Sequence, residues 1–160
     1  MNKEIKTKSL KLVLVNPQIP PNTGNIARTC AATETDLHLV GPLGFDISDK
    51  ALKRAGLDYW PYVDLHYYDS VEAFLKKNAD QGRWIGFSKS ASINYTHFKF
   101  QTNDWLMFGS EIYGLPEKIR TYCHTQVLIP MPCKHVRSLN LAAAAAVGLY
   151  EARRQIELLG

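Results

Sequence analysis

Short apolar runs recur along the chain at 12–15, 37–40, 84–87, 106–109 and 127–129, each of strand length and each followed by turn-forming or small polar residues. Segments 48–55, 71–78 and 116–122 lie between them with helical patterning, and Ser70 and Pro116 suit helix starts. The stretch 62–67 adds a candidate edge strand. Continuous apolar strands separated by helices are the pattern of a parallel sheet buried on both faces. The predicted fold class is therefore α/β, a parallel-rich sheet flanked by helices. With 160 residues and 46% hydrophobic content, the chain is expected to form one domain over 10–160 around a real core. Residues 1–9 are polar and lysine-bearing and read as a loose arm. No repeat, low-complexity tract or linker interrupts the pattern.

Composition narrows the function classes. No apolar run has the length to span a bilayer, and 1–9 lacks a signal-peptide core. The three cysteines, Cys30, Cys123 and Cys133, are an odd number, which suits a reduced cytoplasm. Cys123-His124 and Cys133-Lys-His135 lack the paired spacing of zinc sites, so buried or bystander thiols and no metal are expected. A net charge of +4 is compatible with nucleic acid without requiring it.

Three segments that follow strands carry most of the chemical character. The first is Asn16-Pro-Gln-Ile-Pro-Pro-Asn-Thr-Gly-Asn-Ile-Ala-Arg-Thr-Cys30. Pro20 and Pro21 are expected to bar helix before them, with Asn22 or Thr23 capping a helix over 25–34. That places Asn25 and Arg28 in its first turns, at the sheet edge where α/β proteins bind ligands. The second, Gly109-Ser-Glu-Ile-Tyr-Gly-Leu-Pro116, has two glycines that permit a tight loop with exposed backbone. It is neither a Walker loop nor a GxGxxG fingerprint. The third is Ile129-Pro-Met-Pro-Cys-Lys-His-Val-Arg-Ser-Leu-Asn-Leu141. Its prolines keep it extended, Lys134, His135 and Arg137 make it basic, and Ser138 or Asn140 can cap the helix that follows. A parallel sheet gathers all three at one rim, and Phe87-Ser-Lys-Ser90 is expected to join them. The last segment, 138–159, carries five consecutive alanines and then Val147, Gly148, Leu149 and Tyr150. Small residues around most of its circumference suit a helix packed on more than one side, within the domain or against a second copy. Glu151, Arg153, Arg154 and Glu157 return it to water.

Asn22-Thr-Gly-Asn-Ile-Ala-Arg28, Gly109-Ser-Glu-Ile-Tyr-Gly-Leu-Pro116 and Ile129-Pro-Met with Arg137-Ser-Leu-Asn-Leu141 resemble the three motifs of the SPOUT methyltransferases. The resemblance is closest to the small, single-domain YibK/TrmL group, which methylates the ribose 2′-hydroxyl of the tRNA wobble nucleotide. Gly41-Pro-Leu-Gly-Phe45, Leu52-Lys-Arg-Ala-Gly-Leu-Asp-Tyr59 and Tyr150-Glu-Ala-Arg-Arg154 match as well, so nearly the whole chain after residue 9 is covered.

The resemblance implies an α/β knot whose carboxyl-terminal segment makes a deep trefoil, a topology that periodicity does not reveal. It implies S-adenosylmethionine as cofactor, held largely by backbone at Phe87, Gly109, Ile129, Ser138 and Leu139. It implies a homodimer built largely on the helix around 142–150. The substrate implied is a tRNA anticodon stem-loop, with cytidine or modified uridine at the wobble position and tRNA-Leu as the expected species. Arg28 is expected at the acceptor as an electrostatic clamp rather than a base, because a guanidinium stays protonated in proteins. Asn25 is expected to orient Arg28 or the ribose. Tyr150 matches a family tyrosine at the catalytic centre, with a packed core tyrosine as the other reading. Glu111 is placed near the cofactor's charged end. Lys134, His135, Arg137, Arg153 and Arg154 are expected on RNA phosphates, with Lys53 and Arg54 as further candidates. Tyr59 and Trp60 are candidates for base stacking, core packing being preferred for Trp60. Three other readings stay open: the same chemistry on another RNA, a non-catalytic RNA-binding protein of this fold, and a small-molecule binding protein.

Overall fold

The structure, a computed structural model, describes residues 10–48, 50–56 and 58–156, with the side chains of 55 and 56 outside the description. The expected arm at 1–9 and the tail from 157, Glu157 included, lie outside the described residues. Seven strands form one sheet: β1 (Lys11–Val15), β2 (Asp36–Val40), β3 (Leu65–Tyr68), β4 (Trp84–Phe87), β5 (Ile93–Asn94), β6 (Trp105–Phe108) and β7 (Thr125–Leu128). Their order is β3-β2-β1-β6-β4-β7-β5, and every pairing is parallel.

Both faces are buried, which explains the uninterrupted apolar runs. Leu12 and Leu14 of β1 join Ile26, Ala27 and Leu149 beneath α1 (Pro20–Thr33) and α5 (Leu141–Gln155). Val13 and Val15 point the other way, to Phe74 of α3 (Val71–Asn78) and Ile119 of α4 (Glu117–Arg120). A further helix, α2 (Lys50–Gly56), packs on the outside of α1. Ser70 caps α3 as expected, its hydroxyl accepting from the Ala73 amide at 3.1 Å.

Two sequence expectations change. The first helix starts at Pro20, not at 25, because prolines at its first two positions lack only amides that have no helical partner. Asn22 and Thr23 are consequently buried in its first turns and cap nothing, while Ile19 holds the cap position without a side-chain bond. The expected edge strand at 62–67 is shifted: Trp60–Tyr62 form a 3₁₀ turn, and β3 begins at Leu65. The two-residue strand β5 has no apolar run to announce it.

His38 sits 4% exposed on the α3 face of β2, its ring stacked 4.4 Å from His66 and tilted against Trp105 at 4.7 Å. Burial, and secondarily the charges of His66, Lys11 and Lys77, push its pKa from 6.5 down to about 3. The unfolded chain therefore takes up a proton that the native one refuses. Stability is complete above pH 6.5 and falls as the pH drops towards 3, by up to about 1.4 kcal/mol per pH unit from this group. Urea unfolding of chelator-treated protein across that window is expected to show this slope, and His38→Gln to flatten it.

Candidate functional site

Strand order reverses between β1 and β6: the chain extends from β1 to β2 and β3 on one side, and later strands fill the other. The loops leaving these two strands therefore flank the switch point at which open α/β sheets bind ligands. The loop after β6 folds back on itself through a bridge between Ser110 and Gly114. Gly109 is required there, since a Cβ would sit 1.9 Å from the Gly114 carbonyl carbon and 2.1 Å from the Leu115 nitrogen. Gly114 takes φ +68°, a left-handed conformation that side chains disfavour. Tyr113 stands 84% exposed at the tip of the turn.

Glu111 is anchored by main chain. Its Oε2 accepts from the Gln18 amide at 2.8 Å and its Oε1 from the Ile19 amide at 3.2 Å. Both oxygens are thus committed to the loop that launches α1, and the carboxylate latches the first segment to the second. Sequence reading missed this, because nothing in local pattern pairs residues so far apart. Glu111→Ala should cost about 1–3 kcal/mol, two charge-assisted bonds being lost from a partly exposed site, with Glu111→Gln in between. Urea denaturation of the three proteins would measure it.

The third segment runs exposed from 132 to 140. Asn140 caps α5, its Oδ1 accepting from the Ala143 amide at 3.1 Å, while Ser138 stays exposed and caps nothing. Asn140 Nδ2 also donates to Asn22 Oδ1 at 3.0 Å, joining the third segment to the first. At the far end, Arg153 Nη1 donates to the Thr33 carbonyl at 3.0 Å. With Asn22 beside Asn140 and Thr33 beside Arg153, α1 and α5 run parallel, side by side. Gly148 lets α5 press against Phe87 and Phe108, where a Cβ would stand 2.7 Å from the Phe87 ring.

The structure brings most of the expected cofactor positions together and separates the rest of the site. Phe87 ends β4, Gly109 and Ile129 directly follow β6 and β7, and Ser138 and Leu139 precede α5. The Phe87 ring is turned inward, stacked 4.5 Å from Phe108. Lys134, His135 and Arg137 are exposed on the same segment. Arg28 is not at the helix start: eight residues past Pro20, it lies about 12 Å down α1. It is exposed there beside the equally exposed Asn25, and its guanidinium lies 4.6 Å from the Tyr59 ring centroid. Tyr59 therefore supports Arg28, and Trp60 packs against the core as preferred. Tyr150 is 47% exposed, which removes the core reading.

Arg153 and Arg154 do not extend the basic segment. They lie about 18 Å along α5 from Leu141, and both are engaged, Arg153 on Thr33 and Arg154 on Glu151 through two bonds of 2.9 Å. Cys30 is buried and Cys123 half-buried, while Cys133 is exposed. Burial, helped by Asp36, raises the Cys30 thiol to about 12, and burial alone raises Cys123 to about 12. His124 Nδ1 accepts from the Trp84 amide at 3.1 Å.

A parallel α/β sheet thus carries a glycine-pinned turn at its switch point, tied by Glu111 to the start of the first helix, which Asn140 ties in turn to the basic extended segment. The chain belongs to the SpoU rRNA Methylase family, whose model matches residues 9–150. It is 60% identical over 152 residues to a candidate tRNA (cytidine(34)-2′-O)-methyltransferase of Synechocystis, covering 94% of this chain and 99% of that protein. A structure solved to study 2-OH methylation of C/U34 on tRNA is 49% identical, covers 92% of this chain and 96% of that one, and superposes with a TM-score of 0.86. The SpoU methyltransferase AviRb from Streptomyces viridochromogenes, solved in complex with AdoMet, is 27% identical with a TM-score of 0.84, over 96% of this chain and 59% of that one. Among the described residues, no helix is long and apolar enough to cross a membrane.

Proposed function

We propose that this protein transfers the methyl group of S-adenosylmethionine to the ribose 2′-hydroxyl of the wobble nucleotide of tRNA, cytidine or modified uridine, acting in the cytoplasm as a homodimer. The observation that carries this reading is the convergence of three chain-distant segments at the β1/β6 switch point, tied by Glu111 to Gln18 and Ile19 and by Asn140 to Asn22. Likeness to proteins named for this reaction supports it.

The rim fits the cofactor: the tight turn at Gly109 and the exposed chain at 132–139 make a cradle of backbone. When bound, S-adenosylmethionine supplies an electrophilic methyl on a sulfonium. The acceptor hydroxyl would take up that methyl and release its proton to water, so the chain's own task is to hold the ribose in line. Arg28 holds the adjoining phosphate and the developing negative charge on O2′. Asn25, one turn before it, orients the acceptor, and Tyr150 lines the same exposed region.

Arg28 and Tyr150 lie well down two parallel helices, away from the rim of their own protomer. Val147 and Tyr150 leave exposed apolar surface on α5 there, suited to a second copy. Lys134, His135 and Arg137 contribute phosphate contacts to the anticodon stem-loop. The return of the chain from β7 to lay α5 beside α1 suits the threaded trefoil of the SPOUT fold.

The deciding experiment incubates the protein with radiolabelled S-adenosylmethionine and tRNA from a strain lacking the gene, then maps the label by nuclease digestion. A 2′-O-methyl mark at the wobble nucleotide is expected. Label at another ribose moves the substrate, and an absence of cofactor binding overturns the enzyme reading.

A further inference from the structure

One turn beyond Arg28, α1 borders a cleft of about 290 Å³ to which the methyl-transfer reading gives no role. Ala31, Glu34 and Thr35 form one side of it. Tyr62 of the 3₁₀ turn and Asp64, just before β3, form the other. Helix rise sets Ala31 about 4.5 Å past Arg28 and Glu34 about 9 Å past it.

The 3₁₀ turn ties this cleft to the arginine. The Tyr62 amide donates to the Tyr59 carbonyl at 2.9 Å, and side chains three residues apart on such a turn project to the same side. Tyr59 rests its ring against Arg28, 4.6 Å from the guanidinium, while Tyr62, 76% exposed, lines the cleft. Guanidinium, aromatic wall and cleft therefore follow one another along a single face.

The lining selects the occupant. Its two charged side chains, Glu34 and Asp64, are carboxylates, which repel phosphate and accept from N–H groups. Asp64 meets His66 Nε2 at 3.3 Å, and Glu34 stands exposed at the end of α1. Glu34 holds that place against two local preferences. Its φ of +51° is the left-handed region where glycine is usual at a helix end, and a negative charge there opposes the helix dipole. An aromatic wall beside a hydrogen-bond acceptor is how proteins read an unpaired base, the face by stacking and the edge by hydrogen bonding.

We propose that this cleft receives the base of the acceptor nucleotide, with Tyr62 stacked on its face and Glu34 accepting from the exocyclic amino group of cytosine, so that cytidine is favoured over uridine. The assignment rests on the methyl-transfer reading above. Arg28 holds the phosphate, the base of the same nucleotide lies one to two helical turns further along α1, and the ribose lies between them. Cytosine offers an amino donor where uracil offers a carbonyl oxygen, which a carboxylate repels. The two carboxylates also fix the orientation, admitting the base and leaving the phosphate with Arg28. Because Arg28 and the cleft share α1, they serve the same rim, whether of their own protomer or of a second copy.

The test uses the full chain, labelled S-adenosylmethionine and two tRNAs made in a strain lacking the gene, identical except for cytidine or uridine at the wobble position. Wild type is expected to favour the cytidine tRNA by about tenfold in kcat/KM. Glu34→Gln should bring that ratio close to one, since an amide accepts from cytosine and donates to uracil equally well. Glu34→Gly should abolish the preference as well while raising the melting temperature, which a structural role for the carboxylate would not allow. Tyr62→Ala should raise KM for both tRNAs about tenfold with cofactor affinity unchanged, and Tyr62→Phe should restore it. The assignment is overturned if wild type treats the two tRNAs alike, if Glu34→Gln keeps the wild-type ratio, or if Tyr62→Ala leaves both KM values as they were. Those results, with methyl transfer intact, leave the enzyme reading standing. No transfer to either tRNA by wild type overturns both.

Discussion

Replacing Arg28 by alanine is expected to lower methyl transfer by about 10²–10³, the usual loss when one charge-stabilising donor is removed from a reacting centre. Cofactor affinity and thermal stability should be nearly unchanged, because Arg28 is exposed and rests on the face of Tyr59. Arg28→Lys should recover only part of the rate, since an ammonium lacks the planar fork that grips phosphate in two places. Tyr59→Ala should fall between wild type and Arg28→Ala by loosening the guanidinium. A filter assay with labelled cofactor and tRNA measures all four proteins. Mixing Arg28→Ala with a variant that cannot bind cofactor then locates the arginine. Recovered activity shows that Arg28 serves the rim of a second copy, and two dead partners show that it serves its own. Recovery is expected, given the 12 Å or so of helix between Arg28 and the rim above it.

The second large effect is expected at Gly109. A methyl group there overlaps the main chain of Gly114 and Leu115, and backbone cannot turn aside as a side chain can. Gly109→Ala must open the turn, with a stability loss of about 1–3 kcal/mol by overpacking. Cofactor affinity should fall by more than about tenfold as the cradle deforms, one factor of ten corresponding to roughly 1.4 kcal/mol. Gly114→Ala is the informative control: open space surrounds that position, and only its φ of +68° resists a side chain. Its cost should be about 1–2 kcal/mol, from backbone conformation alone. Calorimetric cofactor titration and thermal melts of both variants separate collision from strain.

Much of the architecture was legible before any coordinates. The strands at 12–15, 37–40 and 84–87 were placed to within a residue, because a strand buried on both faces leaves no polar position to blur its edges. The same sequence misled at Pro20-Pro21, where prolines read as breakers are the first residues of α1. Arg153 and Arg154 were expected on RNA phosphates with the basic segment. Helix rise sets them some 18 Å from its end, where they also bond Thr33 and Glu151, a placement the sequence did not show. For Glu111 the sequence suggested only nearness to the cofactor's charged end, and its bonds to the amides before α1 were not legible.

By itself the sequence determined the alternation of strand and helix, the glycine turn after β6, the alanine-rich closing helix and the family. All of these depend on residues close to one another in the chain, whose periodicity and backbone preferences act locally. The tertiary structure alone decided that Asn140 reaches Asn22, that Glu111 reaches Gln18, that α1 and α5 run parallel, and that His38 stacks on His66. Those contacts follow from strand order and register, which arise from burying both faces of the sheet at once. No local segment carries that information.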